Sequence, residues 1–332
     1  MGNSLLEIKP HQVSRDLRGY SVFLYGEPKT GKTTIASKFP GALLLAFEKG
    51  YNTLPGVMAK PLNTWSEFKK VLTELKDPEV QKVFQTVIID TADIAYSLCE
   101  QYICSRESTA TATYDSIGDV PYGKGYKLAQ AEFDVCIRKI LQMDYGLVII
   151  SHSKDKVIKD EAGNEITKIV PTLDDRAKLI CERTCDIIGY SRSVSVDDGE
   201  KTLLFMRGTP RFDAGSRFKY SPDYIEFNYD NLVNAIADAI DKEAQMTGEK
   251  YVTATATDRK TLYADEVEYD FPGLMKSFQE IVGSLMHKNQ NIAPQITKIV
   301  EAHLGKGKKV SDCTPEQAAQ LDLIIFDLKK LA

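Results

Sequence analysis

Gly26-Glu27-Pro28-Lys29-Thr30-Gly31-Lys32-Thr33-Thr34 decides how this chain folds. The run matches G-x-x-x-x-G-K-[ST], the phosphate-binding loop. Ser21-Val22-Phe23-Leu24-Tyr25 before it is a short apolar run and reads as a buried strand. Thr33 to Phe39 after it reads as the first turns of a helix. Strand, glycine-bounded turn and helix start are the context the motif requires. Gly26 and Gly31 carry no Cβ, so the backbone can wrap close to an anion. Successive N–H groups form a nest at the positive end of the helix. Lys32 is expected to reach the β- and γ-phosphates, and the Thr33 hydroxyl to ligate Mg²⁺. The plainer reading is a chance glycine turn before a helix, and the flanking strand weighs against it.

The 332 residues suffice for one large domain and a smaller one. Hydrophobic content of 43% and charged content of 27% are those of a soluble globular protein. A net charge of −5 excludes a protein that binds nucleic acid through overall basicity, so any such contact must be local. Six cysteines in so long a chain do not make a disulfide framework, and reduced thiols in a cytoplasm are expected. No long apolar span or signal-peptide pattern is present, so no membrane contact is expected.

Residues 1–19 read as an N-terminal arm. Ala42-Leu43-Leu44-Leu45-Ala46-Phe47 is apolar throughout, as in a parallel strand buried on both faces, and ends in Glu48. A carboxylate there lies on the rim where α/β proteins bind ligands. Its plainer role is an N-cap or a surface acid. Residues 64–76 have helical periodicity, and Trp65 is most simply core. Thr86-Val87-Ile88-Ile89-Asp90 is a second such strand, whose terminal Asp90 is placed to hold Mg²⁺. Thr91 follows it rather than a second acid, so a catalytic base must come from elsewhere, and Glu48 is the candidate.

Residues 92–106 read as a helix and 107–127 as a loop. Its second half, Pro121-Tyr122-Gly123-Lys124-Gly125-Tyr126-Lys127, interleaves aromatic and basic residues. Such a segment either stacks on bases and neutralises phosphates or is an ordered turn into a helix over 127–143. Gly146 to His152 is a further buried strand, with His152 on the same rim and suited to sensing a γ-phosphate. Residues 154–171 read as a lysine-rich hairpin turning at 161–164, and 174–185 as a helix carrying Cys181 and Cys185, best taken as buried free thiols. A second hairpin follows, with an acidic turn at 197–200, and ends in Arg207-Gly208-Thr209-Pro210-Arg211. Arg207 and Arg211 suit an anion in a neighbouring subunit's site, or are simply solvated. An amphipathic helix covers 229–242. Residues 246–270 read as a linker, and 271–332 as a separate helical domain of three helices, the last starting near Thr314-Pro315-Glu316.

The runs at 20–34, 42–50, 86–91 and 147–152 resemble the RecA-like ATPase core, in which the catalytic Glu ends the strand after the P-loop helix. With Pro121 to Tyr126 and Ile150-Ser151-His152, the chain is similar to phage-encoded RecA-like ATPases of recombination modules, over roughly residues 18–240. The resemblance implies an α/β fold: a RecA-like P-loop NTPase core at 20–245 with a mostly parallel sheet, plus the small helical domain. It also implies ATP and Mg²⁺ as cofactors. Its expected sites are the loop Gly26, Glu27, Pro28, Lys29, Thr30, Gly31, Lys32, Thr33 and Thr34, the metal ligands Thr33 and Asp90, and the catalytic set Lys32, Glu48, His152, Arg207 and Arg211. The implied activity is ATP hydrolysis coupled to single-stranded DNA, in a homo-oligomeric filament or ring in the host cytoplasm, with a single-strand-binding or other recombination protein as a further partner. His152 stands where bacterial RecA has a glutamine, and the segments in the places of RecA's DNA loops differ in sequence, so DNA contact is carried by position only. A nucleotide-switched module that recruits replication or repair proteins with little hydrolysis is the alternative reading.

Overall fold

The computed structural model describes residues 12–159, 163–196, 199–248, 251–253 and 269–331. Residues 1–11 of the expected arm, the turn residues at 161–162 and 197–198, and 249–250 and 254–268 of the expected linker lie outside them. The chain divides into two compact units, residues 1–265 and 266–332.

In the first unit, β1 (Val13–Ser14) leads to β2 (Ser21–Gly26), buried along its whole length. The loop opens into α1 (Lys32–Ala36), shorter than expected. Pro40 keeps the helix from reaching Phe39, since the residue before a proline avoids the helical region. β3 (Ala42–Ala46) and β4 (Ala59–Pro61) precede α2 (Trp65–Glu74) and α3 (Pro78–Val83). A reciprocal Thr64–Glu67 capping box starts α2. β5 (Thr86–Asp90) is wholly buried and runs into α4 (Ala92–Glu107). The segment expected to be a loop over 107–127 is largely ordered. Thr109 and Ala112 close a tight turn, 3-10 turns cover Ile117–Asp119 and Pro121–Gly123, and α5 (Lys124–Gln142) starts three residues before the expected point. Its backbone is thus the ordered turn of the two readings, while Tyr122 stands fully exposed.

β6 (Gly146–Lys159) and β7 (Glu165–Pro171) form the first hairpin. The buried strand and the hairpin's outgoing leg, read separately in the sequence, are one continuous strand. α6 (Asp175–Thr184), the hairpin of β8 (Ile187–Val196) and β9 (Gly199–Phe205), β10 (Gly215–Ser216), β11 (Tyr224–Glu226), α7 (Tyr229–Thr247) and β12 (Val252–Thr253) complete the unit. The sheet runs β11-β9-β8-β2-β6-β5-β3-β4, with β10 on β8 and β7 on β6. The strands from β8 to β4 in that order are parallel, whereas β9, β10 and β11 are antiparallel to their neighbours. The sheet is therefore mixed: at one edge the tight β8–β9 hairpin replaces the helical crossover that parallel neighbours need.

Alternate residues of the central strands feed two cores. Phe23, Tyr25, Leu45, Ile89 and Ile149 pack with α2, α4, α5 and α6. Val22, Leu24, Leu44, Ile88 and Val148 pack with Ile35 of α1 and Leu232 and Ile236 of α7. Trp65 is core, as expected, and its Nε1 also donates to Glu132 at 3.1 Å. The N-terminal arm is not loose in its described part. Leu17 is buried, β1 pairs with β12 in parallel, and Arg15 meets Asp241 at 2.6 Å.

The second unit has its own core. α8 (Phe271–Lys288), α9 (Ala293–Leu304) and α10 (Ala318–Lys329) enclose Leu285, Ile296, Val300, Leu321, Ile324 and Leu328. The expected signal at Thr314 is a capping box with Gln317, and it starts a 3-10 turn that precedes α10. All six cysteines are free thiols, and Cys181 and Cys185 are buried. Among the described residues no metal-binding cluster of His, Cys, Asp or Glu exists, and no helix is long and apolar enough to cross a membrane.

Gly125 shows what fixes the 107–127 segment. A Cβ there would lie 2.6 Å from the Ile117 carbonyl and 2.9 Å from Val120 Cβ. Helix propensity alone would make Gly125→Ala stabilising by up to about 1 kcal/mol. Overpacking costs about 1–3 kcal/mol and should win. We expect a net loss of about 1–2 kcal/mol in urea unfolding; a gain would show that this segment yields easily.

Candidate active site

The parallel register brings four strand ends to one rim. Gly26 pairs with His152, Asp90 with Ile150, and Ala46 with Asp90. Gly26 is also where β8 presses on the loop. A Cβ on it would lie 2.1 Å from the Ser191 carbonyl, so no larger residue fits. Ser191 is buried, and its hydroxyl lies 2.8 Å from Thr30 Oγ1. Thr30 in turn donates to the Glu27 carbonyl at 3.0 Å. The loop is thus braced from a strand that its own sequence gives no hint of. Lys29 and Gly31 adopt positive φ on either side of Thr30. The N–H groups that begin α1 have no intrahelical partner, which leaves donors for an anion.

Lys32 is 5% exposed and folds back on its own loop. Its Nζ donates to the carbonyls of Gly26 at 2.9 Å and Glu27 at 2.6 Å, and to Thr30 Oγ1 at 3.3 Å. Burial pushes the amine down to about 8, against the opposing pull of Asp90 and Glu48. Thr33 Oγ1 donates to Asp90 Oδ2 at 2.7 Å. Asp90 is 2% exposed, and burial raises its carboxyl pKa. Its Oδ1 is buried with no hydrogen-bond partner among the described residues. An orphaned carboxylate oxygen beside a threonine hydroxyl fits a hard divalent cation such as Mg²⁺.

Glu48 comes to the same place. The N–H groups of Phe47 and Glu48 both donate to the Asp90 carbonyl, at 2.8 and 3.3 Å. A methyl group built on Gly50 would lie 3.7 Å from Glu48 Oε1, 3.9 Å from Asp90 Oδ2 and 4.0 Å from Thr33 Oγ1, so the three oxygens ring one point. Glu48 Oε1 also lies 3.5 Å from His152 Nε2. The imidazole holds the Glu48 carboxyl below its usual value, and the carboxylate raises His152.

Lys32, Thr33, Glu48, Asp90 and His152 therefore converge. Arg207 and Arg211 do not join them within this chain. Arg207 Nη2 donates to the carbonyls of Lys219 and Ser221, and Arg211 offers its carbonyl to Ile169 N–H at 2.7 Å. Sequence reasoning missed Ser191 and Asp93. Asp93, three residues after Asp90, accepts from Ser151 Oγ at 3.0 Å just behind His152. A second acid one helical turn after a strand-ending Asp was the available signal. Ser191 had none.

A family model described as an AAA domain (AAA_24) matches residues 18–218. The chain is also similar to the SPbeta prophage-derived uncharacterized protein YorG of Bacillus subtilis (strain 168). The two are 32% identical over 326 residues, which cover 96% of this chain and 95% of the relative.

Phosphate binding that needs a charged Lys32 should follow its titration. The amine is protonated below about 8, so affinity for MgADP is present at pH 7 and falls as pH rises through that value. Titration with a fluorescent ADP should show binding about tenfold weaker at pH 9 than at pH 7. Lys32→Met should bind weakly with a flat profile, and a flat profile in the parent would refute the assignment.

Proposed function

Because the chain belongs to the AAA domain family of P-loop nucleotide-binding proteins, we propose that it is a phage ATPase of recombination, RecA-like in mechanism, that couples ATP hydrolysis to single-stranded DNA. The observation that carries this reading is the ring of oxygens from Thr33, Asp90 and Glu48 beside the P-loop. Residues Gly26 to Thr34 wrap the triphosphate, and Lys32 exchanges the carbonyls of Gly26 and Glu27 for its phosphates. Thr33 and Asp90 hold Mg²⁺, which when bound neutralises phosphate charge. Glu48 orients the attacking water and accepts its proton, the office of a positioned general base. His152 senses the γ-phosphate through its contact with Glu48. Arg207 or Arg211, supplied by a neighbouring copy in a ring or filament, stabilises the transition-state charge.

Strand order supports the RecA-like reading, since β6 stands between the strand of the P-loop and that of Asp90. The DNA reading is supported by what lies past this rim. The β6–β7 hairpin extends beyond His152 with Lys154, Lys156 and Lys159 on one leg and Val157 63% exposed. Tyr122 is fully exposed two residues before Lys124. Exposed aromatic rings and lysines are the groups that stack bases and track a phosphate backbone. The prophage origin of the similar protein supports a phage role and a host-cytoplasmic location. The helical second unit is assigned to partner contacts, such as with a single-strand-binding protein.

ATP turnover measured with and without oligo-dT at low salt tests the coupling. We expect stimulation of about tenfold or more; equal rates would count against a DNA-coupled motor. Glu48→Gln should lower kcat by about 10²-fold or more while nucleotide affinity stays within about threefold. Unchanged turnover would remove Glu48 from its role. Stable ATP-dependent assembly with barely measurable turnover would favour the recruitment module instead.

A further inference from the structure

Asp93 and Thr172 lie outside the set of residues assigned above, yet they sit directly behind it. Asp93 is in the first turn of α4. Its Oδ1 accepts from Ser151 Oγ at 3.0 Å and, in a short hydrogen bond, from Thr172 Oγ1. Ser151 precedes His152 on β6, and Thr172 follows Pro171, the last residue of β7. Thr172 N–H donates to the His152 carbonyl at 2.9 Å, and Ser153 pairs with Pro171. One carboxylate oxygen therefore clamps both legs of the hairpin where it leaves the sheet. His152 lies between the clamped points, with its ring on Glu48 and its carbonyl on Thr172.

Two further atoms matter. Asp93 Oδ2 and His152 Nδ1 are both buried, and neither has a hydrogen-bond partner among the described residues. One is an acceptor, and the other is a donor whenever it carries a proton, as it does in the imidazolium. The Asp93 charge already acts on the imidazole, adding to the upward pull of Glu48. Buried polar groups left unpaired are costly, so each of these atoms favours a state that gives it a partner. The two carboxylate oxygens are rigidly linked. Turning Oδ2 toward His152 therefore moves Oδ1 away from Ser151 and Thr172.

We propose that Asp93 is a positioning residue that couples His152 to the β6–β7 hairpin: it clamps the hairpin's legs through Ser151 and Thr172, and accepts a hydrogen bond from His152 Nδ1 when bound nucleotide draws the imidazole away from Glu48. The proposal rests on the MgATP reading of the site. The exchange involves hydrogen bonds only. Its effect is to let the state of the phosphate pocket loosen or tighten the two strands that stand beyond the rim.

Val157, exposed on the hairpin, gives a reporting position. In the full chain, Val157→Cys combined with Cys313→Ser, which removes the cysteine that is not fully buried, accepts an environment-sensitive fluorophore. Emission is compared with MgADP and with a non-hydrolysable MgATP analogue, and nucleotide affinity and steady-state turnover are measured alongside. We expect a nucleotide-dependent difference in the parent. Asp93→Asn and Thr172→Val should lose most of it while fluorescent-ADP affinity stays within about twofold, and Thr172→Ser, which keeps the hydroxyl, should retain it. Asp93→Asn should lower kcat and leave KM within about twofold. An undiminished response in both Asp93→Asn and Thr172→Val would overturn the proposal, as would joint loss of response and nucleotide binding in both, which marks a merely structural clamp. A parent that binds MgATP with no change in emission would overturn this proposal alone. A parent that binds no MgATP would overturn the underlying ATPase reading as well.

Discussion

Thr33 reaches Asp90 across a strand that separates them. The P-loop follows β2, Asp90 ends β5, and β6 lies between, yet the hydroxyl and the carboxylate meet at 2.7 Å. This contact requires three strands to be in register at their ends. Register in turn is set by packing, because a slip of one residue would send every side chain to the opposite face. Val22 and Phe23, Ile88 and Ile89, and Val148 and Ile149 are alternately committed to two different cores. The apolar interior thus places the polar rim. Chemistry at this site depends on residues that never touch it.

The charges explain why the rim is poised rather than satisfied. Glu48 and Asp90 present oxygens within about 4 Å of one point, and their like charges repel. The repulsion adds to burial in raising Asp90. His152 relieves Glu48, and Thr33 relieves only one oxygen of Asp90. Burial lowers the pKa of the Lys32 amine, which is turned toward its own loop. A divalent cation and a polyanion together would settle each of these terms: the cation beside the carboxylates, the anion beside the amine. Either one alone would worsen one side of the balance, which fits a pocket that takes the metal and the nucleotide as a pair.

The parts of this arrangement that were legible in the sequence share a physical cause. The runs ending in Tyr25, Phe47, Asp90 and His152 are apolar on both faces, so strand, burial and a polar end could all be read from a few residues. Glu48 could be placed by the same logic, since a parallel strand ends on the ligand rim. Ser191 could not, because its contact with Gly26 depends on how β8 aligns with a strand about half the chain away. The pairing of Val13 and Ser14 with Val252 and Thr253 is too short to leave a period. The antiparallel edge was half legible: the β8–β9 hairpin had a turn signal, but nothing marked its return beside β11. The glycines and polar residues of 107–127 suggested a loop, while Gly125 is there because Ile117 and Val120 leave no room for a side chain.

The continuity of β6 decides where movement at the rim would go. From Gly146 to Ser151 the strand is buried, and it is hydrogen-bonded to β2 on one side and β5 on the other. Shifting that part breaks several ladder bonds, each worth about 1 kcal/mol, and disturbs both cores. From Ser153 to Lys159 the strand pairs only with β7 and is largely exposed. His152 stands at the boundary. A displacement of its side chain cannot be absorbed toward the sheet, where both neighbours hold the backbone. It is absorbed toward the hairpin, where one neighbour holds it. A chain that needed its pocket and its outer surface to move independently would place a loop at this point; this one runs a single strand through it.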